Sequence, residues 1–97
     1  MATMIVTAQP NPDFADEAQA YVGQALTMLL EAGGTLLKRV RVQKPVVGEQ
    51  TFALSLVMDF PDAETIEGVF SSEDYARIAP HRDKGFAFMN ILICEDL

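Results

Sequence analysis

The stretch Thr51–Phe60, TFALSLVMDF, most restricts what this chain can become. Phe52, Leu54, Leu56, Met58 and Phe60 form one set of alternate side chains; Ala53, Ser55, Val57 and Asp59 form the other. A strand puts these sets on opposite faces of a sheet, and only Asp59 is charged, so this strand is expected to be central and covered on both sides. A chain of 97 residues is one domain's length, 1–97, and a domain of that size buries roughly 60–65% of the surface its unfolded form exposes. With 49% apolar and 22% charged residues, it carries more apolar surface than so small a body hides alone. Part of that surface is expected to meet another subunit.

The rest of the chain supplies partners for this strand. Thr3–Gln9, TMIVTAQ, is β-branched and apolar, and Pro10-Asn11-Pro12 stops it, which predicts a first strand. Asn11 suits a helix N-cap, with Pro12 at the first helical position and Asp13, Asp16 and Glu17 at the positive end of the dipole. From there to Ala32 the apolar residues, among them Phe14, Ala18, Tyr21, Val22, Ala25 and Leu29, recur on one helical arc. Gly33-Gly34 ends the helix through a residue with positive φ. Thr35–Gln43, TLLKRVRVQ, is a second strand, with Leu36, Lys38, Val40 and Val42 alternating against Leu37, Arg39, Arg41 and Gln43. The polar second set suits an edge strand. Asp62 caps a short helix, Ala63–Phe70. Ser71 or Ser72 caps another through Tyr75 to Ala79, which Pro80 is expected to end. Gly85 opens a last strand, Phe86–Glu95, apolar on both faces.

The order β-α-β-β-α-β is that of a ferredoxin-like α+β sandwich with a four-stranded antiparallel sheet. Helices in this arrangement cover one face of the sheet. The open face is then expected to meet its own copy across a two-fold axis, forming a homodimer.

Charge and motif content exclude several classes of function. The net charge is −7, from 14 acidic and 7 basic side chains, so no nucleic-acid partner is expected, since phosphate contacts need clustered Lys and Arg. Lys38, Arg39, Arg41 and Lys44 are the local exception, read either as a charged edge strand that discourages aggregation or as a docking patch for an anionic ligand. The one cysteine, Cys94, forms no internal disulfide and reads as a core or interface residue. No signal peptide and no apolar run of about 20 residues is present, so the expectation is a cytoplasmic protein without membrane contact. No phosphate-binding glycine loop, serine-hydrolase elbow, zinc-hydrolase motif or dinucleotide fingerprint occurs. No metal site and no cofactor are expected.

Phe60-Pro61-Asp62, Glu64, Val69-Phe70, Ser72-Glu73-Asp74-Tyr75 and Arg82, with Gly33-Gly34 upstream, carry a family resemblance. The chain resembles the dimeric α+β barrel superfamily, and within it the family called domain of unknown function 1330. The likeness of element order covers nearly the whole chain, and the specific residues lie mostly between Phe60 and Arg82. Val69 stands where an aromatic is usual, Glu73 where proline is common, and Gly48-Glu49 where relatives tend to show the reverse order. The resemblance implies a homodimer whose sheets face each other. The wider superfamily includes cofactor-free monooxygenases, haem-degrading enzymes, isomerases and cyclases, so a fold of this kind does not choose among them.

Candidate chemistry gathers near the end of the same stretch. His81 offers a base and Arg82 a fixed cation, and Tyr75 is read with them as a catalytic group of a cofactor-independent oxygenase or isomerase. Tyr21, Asp59, Tyr75, His81 and Arg82 are the candidate ligand-binding residues of a pocket between sheet and helices that takes a small apolar or aromatic metabolite. Each has an architectural alternative. Arg82 pairs with Glu73, Asp74 or Asp83; the tyrosines bury their rings and bond at the rim; Asp59 is a strand-end residue near water, or else a partly buried carboxylate with a raised pKa. A lone histidine makes no metal site by itself, and haem ligation by His81 is a further alternative. Three functions therefore stand at this point: a small-molecule binder, a cofactor-independent enzyme, and a structural or interaction module without catalysis.

Overall fold

The computed structural model describes residues 1–97. Its strands are β1 (Ala2–Pro10), β2 (Thr35–Arg41), β3 (Leu54–Phe60) and β4 (Phe86–Cys94), and its helices are α1 (Ala15–Glu31), α2 (Ala63–Phe70) and α3 (Glu73–Gly85). A short 3-10 turn, Pro12–Phe14, leads into α1. The sheet order is β2-β3-β1-β4, with every neighbouring pair antiparallel. This is the expected ferredoxin-like βαββαβ sandwich, with β3 inside the sheet and β2 at its edge.

Local chemistry sets the element ends. Asn11 accepts from the Asp13 amide at 3.1 Å, Asp62 accepts from the Thr65 amide at 2.8 Å, and Ser72 accepts from the Tyr75 amide at 3.1 Å. Each side-chain oxygen thereby satisfies one of the free amides at a helix start. Thr65 also donates its hydroxyl to Asp62 at 2.6 Å, and these bonds hold the Asp62 carboxyl below the usual carboxylate range. Gly33 ends α1 with φ +105, a conformation that only glycine adopts without strain.

Two layers form the core. Ala2, Met4, Met58 and Phe60 on the sheet meet Leu29 of α1 and Ile66 of α2 at one end. Ala8 and Phe86 meet Ala18, Tyr21 and Ala25 of α1 and Tyr75 and Ile78 of α3 at the other. The β1–β3 register pairs Met4 with Met58 and Val6 with Leu56 on this helix-covered face, which leaves Ile5 opposite Val57 and Thr3 opposite Asp59 on the open one. Leu92 and Phe88 extend the open face through β4 and are 49% and 40% exposed. No helix is long and apolar enough to cross a membrane.

Strand β3 begins at Leu54 rather than at the expected Thr51, and two further features depart from the sequence expectation. Pro80 does not end the second of the paired short helices: α3 runs through it to Gly85. Proline removes one amide donor and crowds the carbonyl four residues back, here that of Ala76. Ala76 and Pro80 both face solvent, where water can take the orphaned carbonyl. Strand β2 is also not evenly alternating. Its register against β3 shifts between Leu36 and Lys38, so Leu36 lies opposite Met58, Arg39 opposite Leu56 and Arg41 opposite Leu54. The extra residue of a bulge inverts the alternation after it. Leu36, Arg39 and Arg41 therefore share the helix-covered side, whereas the plain period of two groups Leu36 with Lys38 and Val40.

Candidate functional site

Between α1 and the sheet lies a cavity of about 390 Å³, of whose 17 lining residues 14 are hydrophobic. Its volume falls within the roughly 300–1,000 Å³ typical of small-molecule sites. Val22 and Leu26 of α1 form its roof, Val6 and Leu56 its floor, and Phe70 closes one side. These residues reach the same space because α1 repeats its apolar positions every three or four residues while β1 and β3 repeat theirs every second. Every residue of β2 is exposed, so the cavity opens towards that edge, where Arg39 and Arg41 contribute to its wall. No aspartate or glutamate lines it.

Of Tyr21, Asp59, Tyr75, His81 and Arg82, the five residues expected to bind a ligand, only Tyr21 lines this cavity, and of the basic run only Arg39 and Arg41 do. Tyr21 is 4% exposed, and its ring packs edge-on against Tyr75, with centroids 6.1 Å apart, and against Phe86 at 5.8 Å. The Tyr21 and Tyr75 hydroxyls share a hydrogen bond of 2.7 Å, and Arg82 donates from Nη1 to the Tyr75 hydroxyl at 2.9 Å. This three-member chain exists because α3 is unbroken: Tyr75 and Arg82 are seven residues apart, about two helical turns, and so lie on one face. Burial, and next the bond to Tyr75, push the Tyr21 phenol far above its ordinary value.

Arg82 also donates from Nε and Nη2 to Asp83 Oδ1, at 3.1 and 3.0 Å. Burial works against its charge, but the bonds to Asp83 and Tyr75 outweigh that and keep the guanidinium ionised. Of the three carboxylates considered as its partner, Asp83 is the one used. His81 points elsewhere. Its Nδ1 bonds Glu17 Oε2 at the start of α1, so it fastens α3 to α1 and lines neither the cavity nor the tyrosine pair. That bond, with the histidine charge and Lys84 adding to it, holds the Glu17 carboxyl below its ordinary value. Asp59 lies on the opposite, open face, where Thr3 donates to it at 2.7 Å. The structure thus brings Tyr21, Tyr75 and Arg82 together and leaves His81 and Asp59 apart from them. No group of three or more histidine, cysteine or acidic side chains is placed to hold a metal ion.

Glu17 as the partner of His81 has no signal in the sequence, because a pairing across 64 residues depends on how two helices cross. Arg39 and Arg41 stand in the basic run read as a charged edge or an anion-docking patch, but their position at the cavity depends on the bulge.

The sequence from residue 4 to residue 97 matches the family model described as "Domain of unknown function (DUF1330)". No curated protein matches it. Among solved structures, a protein of unknown function from Rhodopseudomonas palustris is similar, with a TM-score of 0.83 at 14% identity over 99% of this chain and 82% of the other. An antibiotic biosynthesis monooxygenase is similar at a TM-score of 0.68 and 11% identity, covering 100% and 99% of the two chains. An ethyl tert-butyl ether d (EthD) family protein from Bacillus halodurans gives 0.68 at 17% identity, again over 100% and 99%. At such identities the likeness is one of fold, and the fold shared is the βαββαβ sandwich described above.

Proposed function

This chain belongs to the family described as domain of unknown function 1330, a name that assigns no reaction, and we propose from its geometry that it is a homodimer that binds a small apolar or aromatic metabolite. The observation that carries the reading is the 390 Å³ cavity with its 14 hydrophobic lining residues. Protein interiors are close-packed, and a hollow of this size forfeits dispersion contacts that a purely structural module has every reason to keep. A bound apolar molecule restores them. Native mass spectrometry of the gently purified protein, together with a thermal-shift panel of apolar and aromatic compounds, tests it. A co-purified organic compound, or a rise in melting temperature with a subset of the panel, is expected. A bare protein mass and a flat panel together reject the reading.

The dimer rests on the open face. Ile5, Val57, Leu92 and Phe88 form an apolar surface with no helix over it, and an exposed patch of this kind marks an association surface. The similarity to proteins of the dimeric barrel type supports the same arrangement. A sedimentation mass of one chain at micromolar concentration rejects it. In this dimer the cavity remains accessible, because it lies on the other side of the sheet.

A second reading is a cofactor-independent monooxygenase or isomerase. Its support is the bonded chain Tyr21–Tyr75–Arg82, which starts at the cavity wall and ends at a partly exposed cation, and a neighbour named as a monooxygenase. In this reading the tyrosines and Arg82 act on the bound compound, and His81 acts through the position of α3. Turnover by purified protein that Tyr21→Phe abolishes, in a variant that still binds ligand, supports it. Absence of oxygen uptake or isomerisation with every compound that binds rejects it.

A further inference from the structure

The cavity's only charges are two arginines, and the fold takes an irregularity to put them there. Strand β2 carries three cations in a row of four residues, Lys38, Arg39 and Arg41 around Val40. With regular alternation after Leu36, Lys38 would share the helix-covered side with it. The register shift between Leu36 and Lys38 instead turns Arg39 and Arg41 to that side, opposite Leu56 and Leu54, and sends Lys38 to the open face, opposite Val57. Bulges re-aim side chains in this way, and they are over-represented at sheet edges and beside binding sites.

Neither arginine is engaged within the chain. Arg77, His81 and Arg82 make the protein's ion pairs, and no side-chain hydrogen bond involves Arg39 or Arg41. This holds in a chain with twice as many acidic as basic side chains, 14 against 7, none of the acids lining the cavity. Two guanidiniums at the mouth of an apolar cavity, without a carboxylate between them, present a fork that matches a planar anion.

We propose that the natural ligand is an amphipathic carboxylate, its apolar body lying in the cavity and its head group held at the mouth by Arg39 and Arg41. This rests on the small-molecule reading above and gives it a ligand class. The body lies against Val22, Leu26 and Leu56, which offer no hydrogen bond, and the Tyr21 hydroxyl is already engaged by Tyr75, so recognition of the head falls to the two arginines. The same geometry disfavours amines, which meet like charge at the mouth.

Matched pairs of ligands test this by titration calorimetry: decanoate against decanol and decylamine, and 2-naphthoate against 2-naphthol. The two sets also distinguish an aliphatic from an aromatic body. At least one carboxylate is expected to bind about tenfold or more tighter than its alcohol, the scale of charge-assisted hydrogen bonds, with decylamine weakest. The double variant Arg39→Gln/Arg41→Gln is expected to remove that preference and leave the alcohol's affinity unchanged. Lys38→Gln, a loss of one positive charge from the same strand on the other face, is expected to leave the preference intact. All these side chains are exposed, so the variants keep the fold. Equal binding of acid and alcohol, or a Lys38→Gln effect as large as that of the double variant, overturns the carboxylate assignment while the small-molecule reading survives. Failure of all five compounds to bind overturns the carboxylate assignment, and the small-molecule reading falls with it where native mass spectrometry also shows the bare protein.

Discussion

The hydroxyls of Tyr21 and Tyr75 lie 2.7 Å apart in the core, and Arg82 reaches the same Tyr75 oxygen at 2.9 Å. One phenol therefore serves two partners. Removing it with Tyr75→Phe leaves the buried Tyr21 hydroxyl without a partner, whereas Tyr21→Phe leaves Tyr75 its bond from Arg82. Tyr75→Phe is expected to cost about 1–3 kcal/mol of stability, the scale of an unsatisfied buried polar group, and Tyr21→Phe clearly less. The double variant should cost less than the sum of the two, because the second substitution removes the group that the first orphaned. Urea unfolding of the three variants measures this. Strict additivity means that the bond has no energetic weight.

The same pair shapes the alkaline limb of stability. Burial and the Tyr75 bond raise the Tyr21 phenol far above its ordinary value, so the folded protein keeps a proton that the unfolded chain releases near pH 10. Above that point the unfolded state binds fewer protons, and stability falls as pH rises. Below it the contribution is fully present. Stability measured by denaturant between about pH 9 and 11.5 is expected to decline more steeply for the wild type than for Tyr21→Phe. Parallel slopes argue that Tyr21 titrates normally.

At the acid end the relevant contact is His81 with Glu17. The bond holds the Glu17 carboxyl below its ordinary value, so its contribution is present above the unfolded carboxylate pKa and is lost as pH falls through the folded value. Glu17→Gln is expected to flatten the decline in stability between about pH 5 and 3, while stability at pH 7 drops modestly because both partners are partly exposed. His81→Ala is expected to loosen α3 against α1 without altering the affinity of a cavity ligand. A large loss of affinity in that variant places His81 in the site after all.

How far the sequence could be read follows from which contacts are local. The caps at Asn11, Asp62 and Ser72 act within three residues, and the strand periods of β1 and β3 are set by alternation alone, so both were legible. Pro80 opposes a helix locally and predicts an end to α3 before it, yet solvent exposure of that turn makes the proline tolerable. The difference matters for the site. A helix ending before Pro80 sets no phase for Arg82, and the Tyr75–Arg82 bond follows only when the helix continues. The site was less legible still. Tyr21 could be placed on the buried arc of its helix, but the bulge that turns Arg39 and Arg41 depends on pairing with β3, and no residue in Leu36–Lys38 announces it. Asp59 stands out chemically in an apolar strand, but its alternation with Met58 and Phe60 puts it on the face away from the pocket.

Close approach of helices gives a sharper prediction at Gly85. A Cβ built there lies 2.4 Å from the Ala18 nitrogen and 2.6 Å from its Cα, both backbone atoms that cannot rotate away. The carbonyl of Gly85 also accepts from the Asn11 amide at 2.9 Å, tying the end of α3 to the start of the first helical turn. Gly85→Ala is therefore expected to push α3 from α1 and destabilise by about 1–3 kcal/mol, as over-packed sites do. Gly23→Ala is the matched control: a Cβ there meets nothing within 4 Å, and alanine favours a helix interior by about 1 kcal/mol over glycine. A melting temperature that falls in the first variant and holds or rises in the second bears this out; equal effects reject it.

The open sheet face supplies the last prediction. Leu92 lies opposite Ile5 on this face and is 49% exposed, so a charge at this position costs the single chain little. In the proposed dimer the same side chain lies between two sheets, where an unpaired charge is strongly disfavoured. Leu92→Glu is expected to halve the mass in sedimentation while circular dichroism keeps its wild-type form. Mass action adds a second readout. If association stabilises the folded chain, the melting temperature of the wild type rises with protein concentration and that of Leu92→Glu does not. A variant that sediments at the wild-type mass moves the subunit contact away from this face, and the apolar surface of β4 then needs another explanation.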